Sequence, residues 1–392
     1  MKQFTPPEFL ISSNIYEVNI RQYTKEGTFN AFAVHLPRLH KMGVEILWLM
    51  PIHPIGKIKR KGTLGSYYSI QNHKGVNPEF GSENDLKNLI LKAHSLGMKV
   101  ILDWVANHAA WDNVWTISNP DFFVRDGEGF VSPFDWTDVI QIDHSNFHQQ
   151  EAMKNCMAYW IEQFDIDGFR ADLAHLTPLG FWVDARKRLS PLKENLIWLA
   201  ETEDETYCAA FDITFTWRWM HLAEDALKTE NATEVLKSFL QTDTFPGYRL
   251  YFTSNHDENS WNGTAYEKYG IYTKALAAFS CLYPKSIPLI YSGEESANTK
   301  RLEFFEKDEI DWDGYQLEKF YTELLKIRKS YSVFKSTEST ITYLDYLEIL
   351  AFRISVHNSA ISVYLNFSKT NASFVFNSEL YNLEPGEWIY FD

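Results

Sequence analysis

Two rhythms of apolar and polar positions divide this chain. Up to about residue 334, short apolar runs alternate with stretches whose apolar residues recur every three to four positions. The runs at 44–50 (VEILWLM), 98–105 (MKVILDWV), 196–201 (LIWLAE) and 287–291 (IPLIY) are nearly continuous, the pattern of parallel strands covered on both faces. Further runs at 14–24, 165–172, 211–215 and 251–253 complete a set of eight predicted strands. Helical spacing fills 28–42, 84–96, 146–163, 181–189, 218–241, 268–281 and 315–330, and Gly43 and Gly97 stand where helix C-caps belong. This alternation predicts an α/β fold, a (β/α)8 TIM barrel over residues 1–334. A segment rich in Trp, Asp, Asn and Pro at 108–147 reads as a short excursion after the third strand. From 335 to 392 the rhythm changes to closely spaced alternating runs, which predict a small antiparallel β domain.

Composition narrows the classes of partner. The formal charge of −15 disfavours nucleic acid, whose phosphates call for a basic face. No run of about eighteen apolar residues predicts a membrane span. Three cysteines without motif spacing predict neither a disulfide framework nor a zinc ribbon. The first fourteen residues, MKQFTPPEFLISSN, lack the apolar core of a leader, so the expected setting is cytoplasmic. Oligomeric state is left open, a monomer being the simplest case. Aromatic residues are plentiful at 16%, enough to line a groove as well as a core.

The chemistry concentrates at strand ends, where barrel enzymes carry their sites. The stretch DIDGFRAD at 165–172 is expected to place Gly168, Arg170 and Asp172 on one strand face, with Phe169 and Ala171 packed on the other. Gly168 would leave room at the barrel axis. Three other predicted strands end in DWVANH at 103–108, LAE at 199–201 and NHD at 255–257. Buried acids and histidines cost stability unless paired, so such clusters at one end of a barrel point to a site. Closely spaced histidine ligands, a strand-end lysine and a glycine-rich phosphate turn are all missing, which disfavours metal hydrolysis, Schiff-base chemistry and phosphate binding. Two carboxylates across a bond suit glycoside hydrolysis. Arg170 would keep Asp172 ionised for attack, and crowded negative charge would raise Glu201 into its protonated form. Asp257, His108 and His256 would bind sugar hydroxyls.

These four ordered segments resemble those of the α-amylase family of glycoside hydrolases (family 13), and the resemblance covers nearly the whole chain. It implies that Asp172 is the nucleophile, Glu201 the general acid/base and Asp257 the stabiliser of the transition state. It further implies sugar contacts from Arg170, His108 and His256, and from Tyr68 as a stacking platform in LGSYYSIQNHKGVNPEFGS. His175 is expected either at the leaving-group side or as a strand cap. The implied activity is cleavage of α-glucosidic bonds in maltooligosaccharides or related α-glucans with retention, through a glycosyl-aspartate. Retention implies carboxyls about 5–5.5 Å apart. A transglycosylase or isomerising relative with the same trio is the alternative, and a non-catalytic carbohydrate-binding subunit a third. The chain departs from the family where Asn72-His73 replaces Asp-Tyr. Around Asn107, a family calcium position, Gln141 and Leu176 replace usual ligands, so no cofactor is expected and calcium at most weakly. The expected role of Asn107 is to hydrogen-bond the excursion back to the barrel.

Overall fold

The computed structural model describes residues 4–127 and 129–392. Met1, Lys2 and Gln3, at the head of the segment read as leaderless, and Glu128, in the predicted excursion, lie outside the described residues. Eight strands form a closed barrel: β1 (Ile15–Val18), β2 (Ile46–Leu49), β3 (Lys99–Trp104), β4 (Gly168–Ala171), β5 (Ile197–Ala200), β6 (Ile213–Phe215), β7 (Tyr248–Tyr251) and β8 (Ser286–Tyr291). Their order around the barrel follows the chain, with β8 returning to β1. By compactness the chain divides into two units. The first comprises residues up to Pro7, Tyr16–Thr214 and Leu302–Ile310; the second comprises Glu8–Ile15, Phe215–Arg301 and Asp311–Asp392.

In the first unit the apolar runs become fully buried strands. Phe169 of β4 meets Trp104 of β3 at 5.5 Å and Trp198 of β5 at 5.7 Å between ring centroids, so its face packs on aromatic neighbours. The opposite face carries Arg170, in register with Asp103 of β3. The strand is shorter than the predicted 165–172. Asp165 is a left-handed helix C-cap, with φ of 57°. Asp167 is a buried anchor, with Val100 N–H donating to its Oδ2 at 2.8 Å and His94 Nε2 2.7 Å away. Gly168 also serves a different purpose from the one expected. Its φ is +152°, and a Cβ there would lie 2.0 Å from the Ile197 carbonyl oxygen. Glycine is therefore needed for the close approach of β4 to β5 rather than for space at the axis.

Two other predictions overran. The first strand stops at Val18, because Gln22 and Tyr23 N–H both donate to the Asn19 carbonyl and start a helical turn. The helix expected at 28–42 is two, Phe29–Ala33 and Leu36–Met42, since Pro37 lacks the N–H needed to continue through. Thr28 caps the first, and Gly43, at φ 105°, ends the second. The excursion is built on a short antiparallel pair, His108–Ala110 with Val139–Gln141, and ends where Asn146 caps the helix Phe147–Phe164.

In the second unit, β7 lies earlier than the predicted 251–253, because its ladder with β8 runs from Arg249 to Tyr251. The helix expected at 218–241 breaks into Trp217–Ala226 and Ala232–Thr242. The C-terminal strands β9 (Thr340–Leu344), β10 (Ile349–Val356), β11 (Ser359–Asn366) and β14 (Trp388–Phe391) form an antiparallel sheet. β12 (Ala372–Phe376) and β13 (Glu379–Leu383) form a hairpin packed on it through Phe374, which stacks on Tyr364 at 4.0 Å.

Candidate active site

The ladders of β4 and β5 continue one residue beyond the strands. Asp172 N–H donates to Trp104 O and Glu201 N–H to Ala171 O, each at 3.0 Å, which fixes the backbone beneath both acids. Between them lies Arg170, with no exposed surface. Its Nη1 donates to Asp103 Oδ1 at 2.8 Å and to Asp172 Oδ1 at 3.2 Å, and its Nη2 donates to Glu201 Oε2 at 2.7 Å. One planar guanidinium thus holds three carboxylates, as its fork of donors permits. Burial works against its charge, yet Asp103, Glu201, Tyr68 and Asp172 outweigh this and hold Arg170 charged well beyond its ordinary range.

Leu173 N–H donates a second hydrogen bond to Glu201 Oε2, at 2.9 Å. Leu173 achieves this with φ of 39°, a left-handed conformation that costs a branched residue about 1–2 kcal/mol. Such strain persists where the surroundings over-determine it. Arg170 and this amide are donors that suit an ionised carboxylate, a feature opposed to the crowding expected around Glu201.

The sequence motifs do not single out Asp103 as a site residue, yet it is the hub of the network. It is wholly buried, and its Oδ2 also accepts from Trp48 Nε1 at 3.1 Å and from the Tyr68 hydroxyl at 2.9 Å. Its position at the head of DWVANH was the available signal. Tyr68, the expected platform, lies nearly parallel to Phe304 at 13° and 6.3 Å. Phe304 belongs to a distant loop segment with no motif to mark it.

His108 starts the excursion, and its ring sits edge-on to Trp136 at 5.6 Å. Burial pushes it down to about 4, against a hydrogen bond with the Tyr68 backbone, so it is neutral. His73 is pushed down by burial to about 4; it hydrogen-bonds Val105 O and stacks on Trp115 at 4.9 Å, tying the excursion's root in place. His175 stands apart from this cluster. Its side chain is exposed, and its carbonyl accepts from the Tyr207 hydroxyl at 3.3 Å.

In the second unit, His256 is buried and its Nε2 lies 3.4 Å from Oδ2 of the half-exposed Asp257. Asn255 shapes the turn that presents them, its Oδ1 accepting from Glu258 N–H at 2.8 Å.

Asn107 does hold the excursion, through its backbone: its carbonyl accepts from Ile142 N–H at 3.0 Å. Its side-chain Oδ1 is buried without a hydrogen-bond partner, one oxygen of the kind a hard cation takes. The neighbouring family positions supply the exposed Gln141 and the apolar Leu176, so the set offers no carboxylate and fits calcium poorly. Among the described residues no group of three His, Cys, Asp or Glu is arranged to hold a metal.

Known proteins resemble this chain in sequence and fold. The model of the alpha amylase catalytic domain matches residues 12–141. The noncanonic maltogenic alpha-amylase AmyB from Thermotoga neapolitana is 31% identical, with a TM-score of 0.86 over 97% of both chains. Alpha-amylase 2 of Dictyoglomus thermophilum is 25% identical over 98% of this chain and 74% of its own length. An alpha-1,4-glucan:maltose-1-phosphate maltosyltransferase of Rhodospirillum rubrum is 29% identical over 61% of this chain, and there the match spans only 38% of the relative. Likeness at this identity along almost the entire length of a solved relative, joined to a barrel of the same form, means that this chain belongs to the α-amylase family of glycoside hydrolases.

Proposed function

We propose that this glycoside hydrolase cleaves α-glucosidic bonds in maltooligosaccharides or related α-glucans by double displacement with retention. The observation that carries the reading is the Arg170 guanidinium, which hydrogen-bonds Asp172 and Glu201 at once and so gathers an attacking group and a proton donor beside each other. In the first step Asp172 attacks the anomeric carbon while Glu201, entering protonated, gives its proton to the departing oxygen. In the second, water attacks the glycosyl-aspartate, Glu201 takes the water's proton, and Asp172 leaves as a carboxylate. The contacts of Glu201 with Arg170 and Leu173 N–H match the ionised form that follows proton delivery. By the family resemblance Asp257, with His256, would steady the oxocarbenium-like sugar between the two steps, and Tyr68 and His108 would contact substrate. His175 would reach substrate only from the rim. The reaction needs no metal, in keeping with the poor fit around Asn107.

The test is hydrolysis of maltooligosaccharides followed by NMR of the freshly formed anomer, with Asp172→Asn as control. The α-anomer should appear first, and the variant should lose at least about a thousandfold in kcat. Initial β-anomer, or activity surviving in Asp172→Asn, would sink the assignment. Transglycosylation is a second reading because maltosyltransferases are among the relatives; products longer than the starting sugar would identify it. A non-catalytic subunit is disfavoured by the complete set of acids. A cytoplasmic setting also belongs to this reading, and cell fractionation decides it.

A further inference from the structure

The excursion carries a feature that folding physics does not explain. Phe134 is 70% exposed and has φ of 53°. A phenylalanine in the left-handed region is strained, and largely exposed to water it gains little burial in return. Glycine or asparagine would suit that backbone better. Its ring nonetheless lies 5.0 Å from that of Trp136, which is itself partly exposed and stands 5.6 Å from His108. Three rings thus lead stepwise from the cleavage-site histidine to open solvent.

The segment that carries these rings is fixed to the first unit. Asp138 pairs with Lys61 at 2.9 Å, and its carbonyl accepts from Ser69 Oγ at 3.0 Å, one residue from Tyr68. The carbonyl of Thr137 accepts from Trp111 Nε1 at 3.0 Å. The two rings are therefore presented in set positions, which lowers the entropy lost when a ligand lands on them. Between and after them stand Asp135 and Thr137, both exposed. Flat apolar faces alternating with short polar groups match a pyranose chain, whose sugars show C–H faces and hydroxyl edges. A protein partner would call for a broad continuous apolar patch instead.

We propose that Trp136 and Phe134 form a binding ridge for the part of an α-glucan that extends beyond the cleaved bond, so that they set the enzyme's preference for chain length. This rests on the α-glucan reading above and adds a site outside the reacting sugar. The ridge contributes only when the substrate is long enough to reach it.

The test compares kcat/KM for maltoheptaose with that for maltotriose, using the full chain. In Phe134→Gly, which also relieves the backbone, the ratio of the two should fall about tenfold, equivalent to about 1.4 kcal/mol of lost binding. Trp136→Ala should lower it further, mainly through the KM of the longer sugar. A ratio that stays at the wild-type value in both variants would overturn the ridge while leaving the α-glucan reading intact. A wild-type enzyme that cleaves neither sugar would overturn that reading and the ridge together. A dimer in light scattering that Phe134→Gly dissociates would assign the rings to a second copy and overturn the ridge as well.

Discussion

The hydroxyl of Tyr68 donates to Oδ2 of Asp103 at 2.9 Å. An aromatic ring on a long loop is thereby tied to the charge network at the barrel's strand ends. The same Asp103 accepts from Arg170, whose guanidinium carbon lies 5.9 Å from the Tyr68 ring. The proposed platform and the proposed acids therefore share one support.

That link separates two functions of Tyr68. Tyr68→Phe keeps the ring and removes the tie, which should cost about 1.5–3 kcal/mol for a hydrogen bond to a charged group. Tyr68→Ala should also lose the stacking surface, so its kcat/KM should fall well below that of Tyr68→Phe. Urea unfolding and steady-state kinetics on one maltooligosaccharide read both effects. Wild-type kinetics in Tyr68→Ala would remove this ring from the substrate site.

Asp103→Asn asks more of the network. The substitution leaves Arg170 with one negative neighbour fewer in a fully buried place, and breaking such a pair typically costs about 3–5 kcal/mol. The denaturant midpoint should fall without a change in slope, and activity should fall with it as Arg170 loosens its hold on Asp172 and Glu201. A variant as stable and active as wild type would show that Asp172 and Glu201 alone position the guanidinium.

The barrel was legible because a strand buried on both faces leaves an apolar run. Ile46–Leu49 and Ile197–Ala200 lie inside the runs that mark them. Element ends were less legible. The early end of β1 depends on a local turn at Asn19, and β4 depends on Gly168 meeting the backbone of a strand nearly thirty residues away. Asp172 and Glu201 stood out because each ends a recognisable motif. Asp103 did not, although it too heads a motif, because its importance lies in partners from three other segments: Trp48, Tyr68 and Arg170. Phe304 and Phe134 sit in irregular segments where neither period nor motif applies, so only the folded structure brings them forward.

Gly168 is the most exacting backbone position in the first unit. With its missing Cβ 2.0 Å from Ile197 O and 2.7 Å from Ile197 N, Gly168→Ala forces β4 away from β5. Both strands lead directly into Asp172 and Glu201, so stability and activity should fall together. Thermal melting should show a large drop or no folded protein at all. A melting temperature within about 2–4 °C of wild type, a change of roughly 1 kcal/mol, would show that the strands can separate at little cost.

Calcium removal is expected to matter little. Asn107 and the two family positions Gln141 and Leu176 offer amide oxygens and no carboxylate, too few hard donors for a firm site. Exhaustive treatment with EDTA should leave rate and melting curve nearly unchanged. A fall of more than about 4 °C, reversed by added calcium, would mean that backbone carbonyls complete a site the side chains do not.

The second unit holds a carboxyl that makes stability depend on pH. Glu294 accepts from Thr253 Oγ1 at 2.6 Å and from the Tyr321 hydroxyl at 3.0 Å, and what surface it keeps lines a pocket beside Tyr266 and Tyr291. Burial pushes it from its ordinary 4.5 up to about 8, with the two hydroxyls opposing and Glu295 assisting. The folded protein therefore keeps this proton where the unfolded chain has lost it. Its contribution to stability is fully present below about pH 4.5 and is lost as the pH rises toward 8 and beyond. The loss is on the order of a few kcal/mol. Glu294→Gln keeps the shape and cannot ionise, so unfolding free energies of variant and wild type should diverge steadily from pH 5 to pH 9, the variant gaining relative to wild type. Because Thr253 stands two residues before Asn255, the same titration should slacken the turn that carries His256 and Asp257, and the alkaline limb of kcat should move outward in the variant. Parallel stability curves across that range would mean that the Glu294 carboxylate is already ionised at neutral pH and the pocket hydrated.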